Sequence, residues 1–151
     1  MDEFDKKILQ LLQEDGRMSN KLLAQEVSLS QAPCWRRVDN LQKKGIIKGY
    51  TALLDQSKLG LTITAFAQVM LENHHPESLE VFSRSIMDLP EVLECHATSG
   101  AYDYLLKIVA IDMQHYNTFI DEKVLRIPSI RSVNSSFSMM EKKQTTVLPL
   151  D

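Results

Sequence analysis

The sequence predicts an α+β protein in two parts: a helix-turn-helix module, then an extended linker, then a ferredoxin-like βαββαβ unit. Three observations carry this. Over residues 1–47, apolar side chains recur at helical spacing in three short runs. From residue 62 onward, β-rich runs alternate with helical ones in the order β-α-β-β-α-β. Charge is also unevenly distributed, basic over residues 16–50 and acidic over 61–151. The expected boundaries are a helix-turn-helix domain over 1–47, a linker over 48–61 and the second domain over 62–151.

Phe4, Ile8, Leu11 and Leu12 mark a first helix over about 4–14, with Gly16 as its stop. Ser19 can cap a second helix whose apolar face is Leu22, Leu23 and Val27. Ser28-Leu29-Ser30 is a polar break with one apolar anchor. Pro33 suits the first position of a third helix, where its missing N–H would have no partner anyway. Cys34, Val38 and Leu41 form that helix's inner stripe, and Gly45 ends it.

Ile46-Ile47 and Tyr50 to Leu54 read as an extended linker closed by Asp55 and Gly60. Thr62–Leu71 is a first strand, Pro76–Leu89 a helix with Leu79, Phe82, Ile86 and Leu89 inward, and Pro90 its stop. Val92–Ser99 and Tyr102–Ile111 are strands around Ser99-Gly100-Ala101. Asp112 can cap a helix bearing Met113, Tyr116, Phe119, Ile120 and Val124, ended by Pro128, before a last strand over Ile130–Met140. Strands alternate sides. On the first, Ile63, Ala65, Ala67, Val69 and Leu71 share one face while Phe66 and Met70 take the other. Helices cover one face of this fold, so apolar groups on the second imply a second subunit.

With 151 residues, 44% apolar and 25% charged, the chain can bury a core and has the balance of a soluble globular protein. No run approaches the roughly 18 apolar residues of a membrane span, and MDEFDKKILQ lacks the basic start and apolar run of a secretory signal. A cytoplasmic protein with no membrane partner is expected. Cys34 and Cys95 fit no zinc or redox spacing, and the histidines do not converge on a metal site. No nucleophile–base pairing, phosphate-binding glycine pattern or carboxylate dyad stands out, so neither an enzyme nor a cofactor is expected.

The net charge of −3 hides an asymmetry. Residues 16–50 hold seven Lys/Arg against two acids, whereas 61–151 hold seven against twelve. A solvated amphipathic helix can carry such charge. Here the charge, the tight break and the three-helix spacing coincide, which favours double-stranded DNA as partner. Ser30, Gln31, Ala32, Trp35, Arg36, Arg37, Asn40 and Lys43 form the candidate DNA surface. Gln and Asn can pair bidentately with adenine and Arg with guanine.

ILQLLQEDGRMSNKLLAQEVSLS, PCWRRVDNLQKKGIIKGYTALLD, ECHATSGAYDYLLKI and SSFSMMEKKQTT, in this order, closely resemble the Lrp/AsnC (leucine-responsive, feast/famine) regulators across essentially the whole chain. The resemblance implies a winged helix-turn-helix, a linker, and a ferredoxin-like domain that binds amino acids. It also implies dimers through that domain, often assembled into octamers. The chain departs from the family's Ser-Pro-Ser/Thr-Pro-Cys at Ser30-Gln31-Ala32-Pro33-Cys34, where Ala32 replaces a hydroxyl expected to cap the third helix. Trp35 replaces a common leucine.

Carried over from the resemblance, an amino-acid effector would sit by Ala97, Ser99, Gly100, Ala101, Tyr102, Asp103 and Tyr104, with Ser135, Ser136 and Phe137 on the facing strand. Asp103 lies in an apolar strand, where a carboxylate needs a partner. That partner is either the effector's ammonium or a group of the protein that orders the turn. A metal- or redox-responsive regulator using Cys34, Cys95 or His74/His75 is the alternative reading.

Overall fold

The computed structural model describes residues 1–150. The chain divides into two compact units, Met1–Leu53 with Lys143–Asp151, and Leu54–Lys142.

The first unit is three helices, α1 (Glu3–Glu14), α2 (Asn20–Glu26) and α3 (Gln31–Lys43). A capping box opens α1: the Asp5 N–H donates to Asp2 Oδ1 at 3.0 Å, and the Asp2 N–H to Asp5 Oδ2 at 3.4 Å. Ser19 caps α2 through its hydroxyl, which accepts the Leu22 N–H at 3.3 Å. Ile8, Leu9, Leu23, Ala24, Val27, Cys34 and Leu41 close into one buried core, with Val38 packed on it.

α2 ends in a Schellman turn. Ser28 takes a left-handed φ of 56°, Leu29 N–H reaches Ala24 O at 2.9 Å, and Ser28 N–H reaches Gln25 O at 3.1 Å. Gly45 ends α3 the same way, with a φ of 69° and Ile46 N–H on Leu41 O at 3.0 Å. Ser28 is exposed and its side chain makes no hydrogen bond among the described residues, so it carries the cost of a Cβ in this conformation without return. Ser28→Gly is therefore expected to stabilise the module by about 0.5–1 kcal/mol, the left-handed penalty less glycine's extra chain entropy. Thermal melting checks it, and a lower melting temperature would show that the hydroxyl matters.

Two expectations about α3 change. The helix starts at Gln31 rather than Pro33, because the Ser30 carbonyl already accepts the Cys34 N–H at 3.2 Å. Pro33 sits third, still among the first four positions whose N–H groups lack an intrahelical partner. The N-cap is Ser30, without a side-chain cap bond, so Ala32 lies inside the helix and not at a capping position.

The first unit also differs from its expected span. Its last segment is drawn from the C-terminus, against the expectation that this segment belongs with 62–151. There Gln13 Nε2 donates to Leu148 O at 3.2 Å, the Leu148 N–H donates to Gln13 Oε1 at 2.6 Å, and Leu150 packs on the helical core.

The second unit is β1 (Ile63–Leu71), α4 (Pro76–Met87), β2 (Val92–Ala97), β3 (Tyr104–Ala110), α5 (Met113–Phe119) and β4 (Ile130–Phe137). A 3-10 turn, Ser57–Leu59, precedes β1, and a π turn, Ile120–Val124, continues α5. The strands form an antiparallel sheet in the order β2-β3-β1-β4. Ala65, Ala67, Val69 and Leu71 of β1 and Leu106, Ile108 and Ala110 of β3 are buried with Phe82, Ile86, Tyr116, Phe119 and Val124 of the helical side. The other face carries Phe66, Gln68 and Met70 of β1, paired in register with Lys107 and Leu105 of β3 and with Ser136, Asn134 and Ser132 of β4. Phe66 there is 39% exposed, as the period-two pattern predicts.

Candidate functional sites

α3 presents the first site. With Cys34 and Leu41 buried, Ser30, Gln31, Ala32, Trp35, Arg36, Asn40 and Lys43 stand exposed. Asn20, Gln31, Ala32, Trp35 and Arg36 line an open recess of about 680 Å³ at the start of the helix. Asn20 opens α2, and its Nδ2 donates to the Gln31 carbonyl at 3.0 Å, which fixes one helix start against the other. Nothing in its sequence position marks Asn20 beyond its place just after a cap. Lys43 pairs with Asp39 one turn back at 2.7 Å. An exposed pair of this kind is worth little and can exchange for a phosphate.

Arg37 is the exception in the candidate DNA surface. Its Nη1 lies 2.7 Å from Asp5 Oδ1 and 2.8 Å from Asp2 Oδ2, and its guanidinium stands 5.3 Å from the centroid of the Phe4 ring. The hydrogen bonds it donates to Asp5 and Asp2 hold it more firmly protonated than usual. Its Nη1 ties α3 to the first turn of α1, where the two acids also meet the positive helix end. The structure thus assigns Arg37 to the module's own framework.

The second site lies at the turn between β2 and β3. Gln68, Thr98, Ser99, Ala101, Tyr102, Tyr104 and Leu105 line a recess of about 210 Å³. Gly100, at the tip, has a φ of 141°, which an L side chain rarely adopts. Thr98 closes the turn, its hydroxyl donating to Tyr102 O at 2.7 Å and its N–H to Asp103 O at 2.9 Å. Asn134 Nδ2 donates to the Tyr102 hydroxyl at 3.2 Å and to Gln68 Oε1 at 3.4 Å, so polar groups from three parts of the chain meet beside the recess. Gln68 and Asn134 were absent from the sequence reading. Gln68 carries a signal, an amide alternating with the apolar face of β1, whereas the face of Asn134 follows only from the register of β4 on β1.

Asp103 turns away from this recess. Its Oδ2 accepts the Leu71 N–H at 2.7 Å and its Oδ1 meets His74 Nε2 at 2.6 Å. The Leu71 N–H, and then His74, hold its carboxyl below the usual carboxylate range. Of the two partners left open by the sequence, the protein itself supplies the one observed. Ser135 and Phe137 also depart from the expected set. They lie on the helix side of β4, where the Tyr116 hydroxyl donates to Ser135 Oγ at 2.5 Å and the Tyr116 and Phe137 rings stand edge to face at 4.9 Å. Ser136 alone of the three shares a face with Gln68 and Asn134. Ala97 ends β2 opposite Tyr104 and is not among the residues lining the recess.

The cysteines lie in different units, Cys34 buried and Cys95 exposed, and burial pushes the Cys34 thiol up. Three His, Cys, Asp or Glu side chains do not converge on a metal position among the described residues. No helix of the described chain is long and apolar enough to cross a membrane.

A winged helix-turn-helix DNA-binding model matches residues 1–48, and a Lrp/AsnC ligand binding domain model matches residues 64–148. The transcriptional regulator AzlB of Bacillus subtilis is 40% identical over 151 residues, covering 100% of this chain and 96% of that protein. The leucine-responsive regulatory protein of Escherichia coli is 39% identical over 148 residues, covering 98% of this chain and 90% of that protein. Among solved structures, a Neisseria meningitidis transcriptional regulator in complex with L-Met superposes with a TM-score of 0.96 at 39% identity, covering 100% of this chain and 97% of that one. With a family model over more than half of its length and full-length relatives near 40% identity, the chain belongs to the Lrp/AsnC family of transcriptional regulators.

Proposed function

We propose that this protein binds double-stranded DNA through the exposed face of α3, as a dimer at least, and that a small amino acid at the recess by Gly100 changes its DNA binding or assembly. One observation carries the DNA half. The helix that follows the tight Ser28 turn turns its apolar stripe inward and leaves Gln31, Trp35, Arg36, Asn40 and Lys43 exposed to solvent. Those are side chains suited to base edges and phosphates. For the effector, the recess is smaller than the roughly 300–1,000 Å³ of a drug-sized pocket, and Gln68, Thr98, Ser99 and Tyr102 bring polar groups to its lining. The relative solved with L-Met supports an amino acid as ligand. A ligand shifts such a system only by binding one state better, with a coupling of about 1–3 kcal/mol.

The test begins with a duplex selected by the protein from a randomised pool. Arg36→Ala and Asn40→Ala are expected to weaken its binding by about 1–3 kcal/mol each, the loss of a bidentate base contact, with relaxed base preference. Lys43→Ala should weaken all sequences alike and flatten the salt dependence, since a phosphate contact works through counterion release. Arg37→Ala should instead lower the melting temperature. If the first three variants bind like wild type, α3 is not the reading helix. A thermal-shift screen against the twenty amino acids tests the effector.

Assembly rests on the outer sheet face, where Phe66 is exposed beside the half-buried Met70 and Leu105. Closed symmetric dimers are the commonest way to cover such a face, and the family resemblance extends this to octamers. Light scattering at micromolar protein should give twice the 17.2 kDa chain mass or a multiple of it. A monomer there defeats this part of the reading.

A further inference from the structure

We propose that the Trp35 indole, with the Ala32 methyl beside it, recognises the 5-methyl group of a thymine in the major groove and so selects thymine at one position of each half-site. The inference rests on the reading of α3 as the DNA-reading helix.

Trp35 is the chain's one tryptophan, and it is 58% exposed on the recognition face. It has no part in the helical core, to which α3 contributes Cys34 and Leu41. The module's stability therefore gives no reason to place the largest apolar side chain there. Ala32 lies one turn earlier on the same helix, and both line the recess, between the polar groups of Asn20, Gln31 and Arg36. The surface thus joins two apolar groups to three hydrogen-bonding ones, and the Asn20 bond to the Gln31 carbonyl ties α2 to the start of α3 beneath them.

The major-groove edge of a base pair that fits such a surface is narrow in kind. Most of what the groove presents is hydrogen-bond donors and acceptors, and the one apolar group among the four bases is the thymine C5-methyl. The first turns of a recognition helix are the part that meets base edges, and Trp35 lies in them. An indole stacked on a sugar or lying along a phosphate would gain the same amount from every sequence, so a sequence-dependent gain separates base reading from backbone contact.

The experiment uses the full chain and the duplex it enriches from a pool with a randomised core. Each thymine of that duplex is replaced in turn by deoxyuridine, which removes only the methyl group. Wild-type binding is expected to fall about fourfold at one thymine of each half-site, the loss for one buried methyl-sized group. Trp35→Ala should bind the thymine and deoxyuridine duplexes alike, with a melting temperature close to wild type because the side chain lies outside the core. The proposal is overturned if methyl removal is silent at every thymine. It is equally overturned if Trp35→Ala keeps the full thymine preference or weakens both duplexes by one factor. The deoxyuridine arm needs no variant, so a misfolded mutant cannot obscure it. A wild-type protein that enriches no duplex defeats the DNA-binding reading itself, a result distinct from binding without a methyl effect.

Discussion

Phe82→Ala is expected to cost the second unit about 3–5 kcal/mol, the usual loss when a buried phenylalanine is cut to a methyl group. Phe82 is fully buried where α4 crosses the sheet, and its ring lies 4.3 Å, centroid to centroid, from that of Tyr104. Removing it takes away both the apolar burial and the ring contact, and the close-packed neighbours can collapse only partly into the space. Small domains have about 5–15 kcal/mol in total, so the variant should unfold at a much lower denaturant midpoint with an unchanged slope. The effect reaches the recess. Tyr104 begins β3 and lines the recess by Gly100, so losing its ring partner should weaken effector binding without altering any effector contact. Denaturation curves read by near-ultraviolet signal test the stability loss, and a midpoint within about 1 kcal/mol of wild type would mean that the core relaxes around the gap.

The parts of this molecule that the sequence made legible are those governed by near neighbours. Ser19, Gly45 and Asp112 sit where a cap or stop is needed, and each acts within a turn of its own position. The faces of β1 follow from alternation alone, so the buried Ala65-Ala67-Val69 set and the exposed Phe66 are readable in advance. What was not legible depends on pairings across the chain. Arg37 has the same sequence signature as Arg36, and only the folding of α1 beside α3 brings Asp2 and Asp5 to it. Ser135 and Ser136 likewise look equivalent. Which of them faces the helices is fixed by the register of β4 on β1, including the irregularity at Met70/Leu71. The tail belongs with α1 through Gln13 and Leu148, and neither residue carries a pattern that announces the contact.

Asp103 shows the same limit and gives the second large expected effect. Asp103→Ala should lower the stability of the second unit by about 1–3 kcal/mol, because it leaves the Leu71 N–H without its acceptor. Leu71 is buried and the Asp103 side chain is only 22% exposed, so water replaces the lost carboxylate poorly. His74 loses its partner as well, but it stands exposed and that loss should matter less. Asp103→Asn separates the two, since an amide oxygen can still accept the Leu71 N–H. It should retain much of the stability that alanine loses. Acid provides an independent check. The Leu71 N–H and His74 hold the native carboxyl below its unfolded value of about 3.9. The native state therefore gains from the ionised form, and that gain is fully present above about pH 4. It is lost as the pH falls through the lower native value, where the folded protein must also take up the proton. Wild type should destabilise on acidification from about pH 4 downward, and Asp103→Asn should lack that component. A role confined to holding an effector's ammonium predicts the opposite pattern. Asp103→Ala would then melt like wild type at every pH and lose only the response to the amino acid, and that result would return Asp103 to the ligand site.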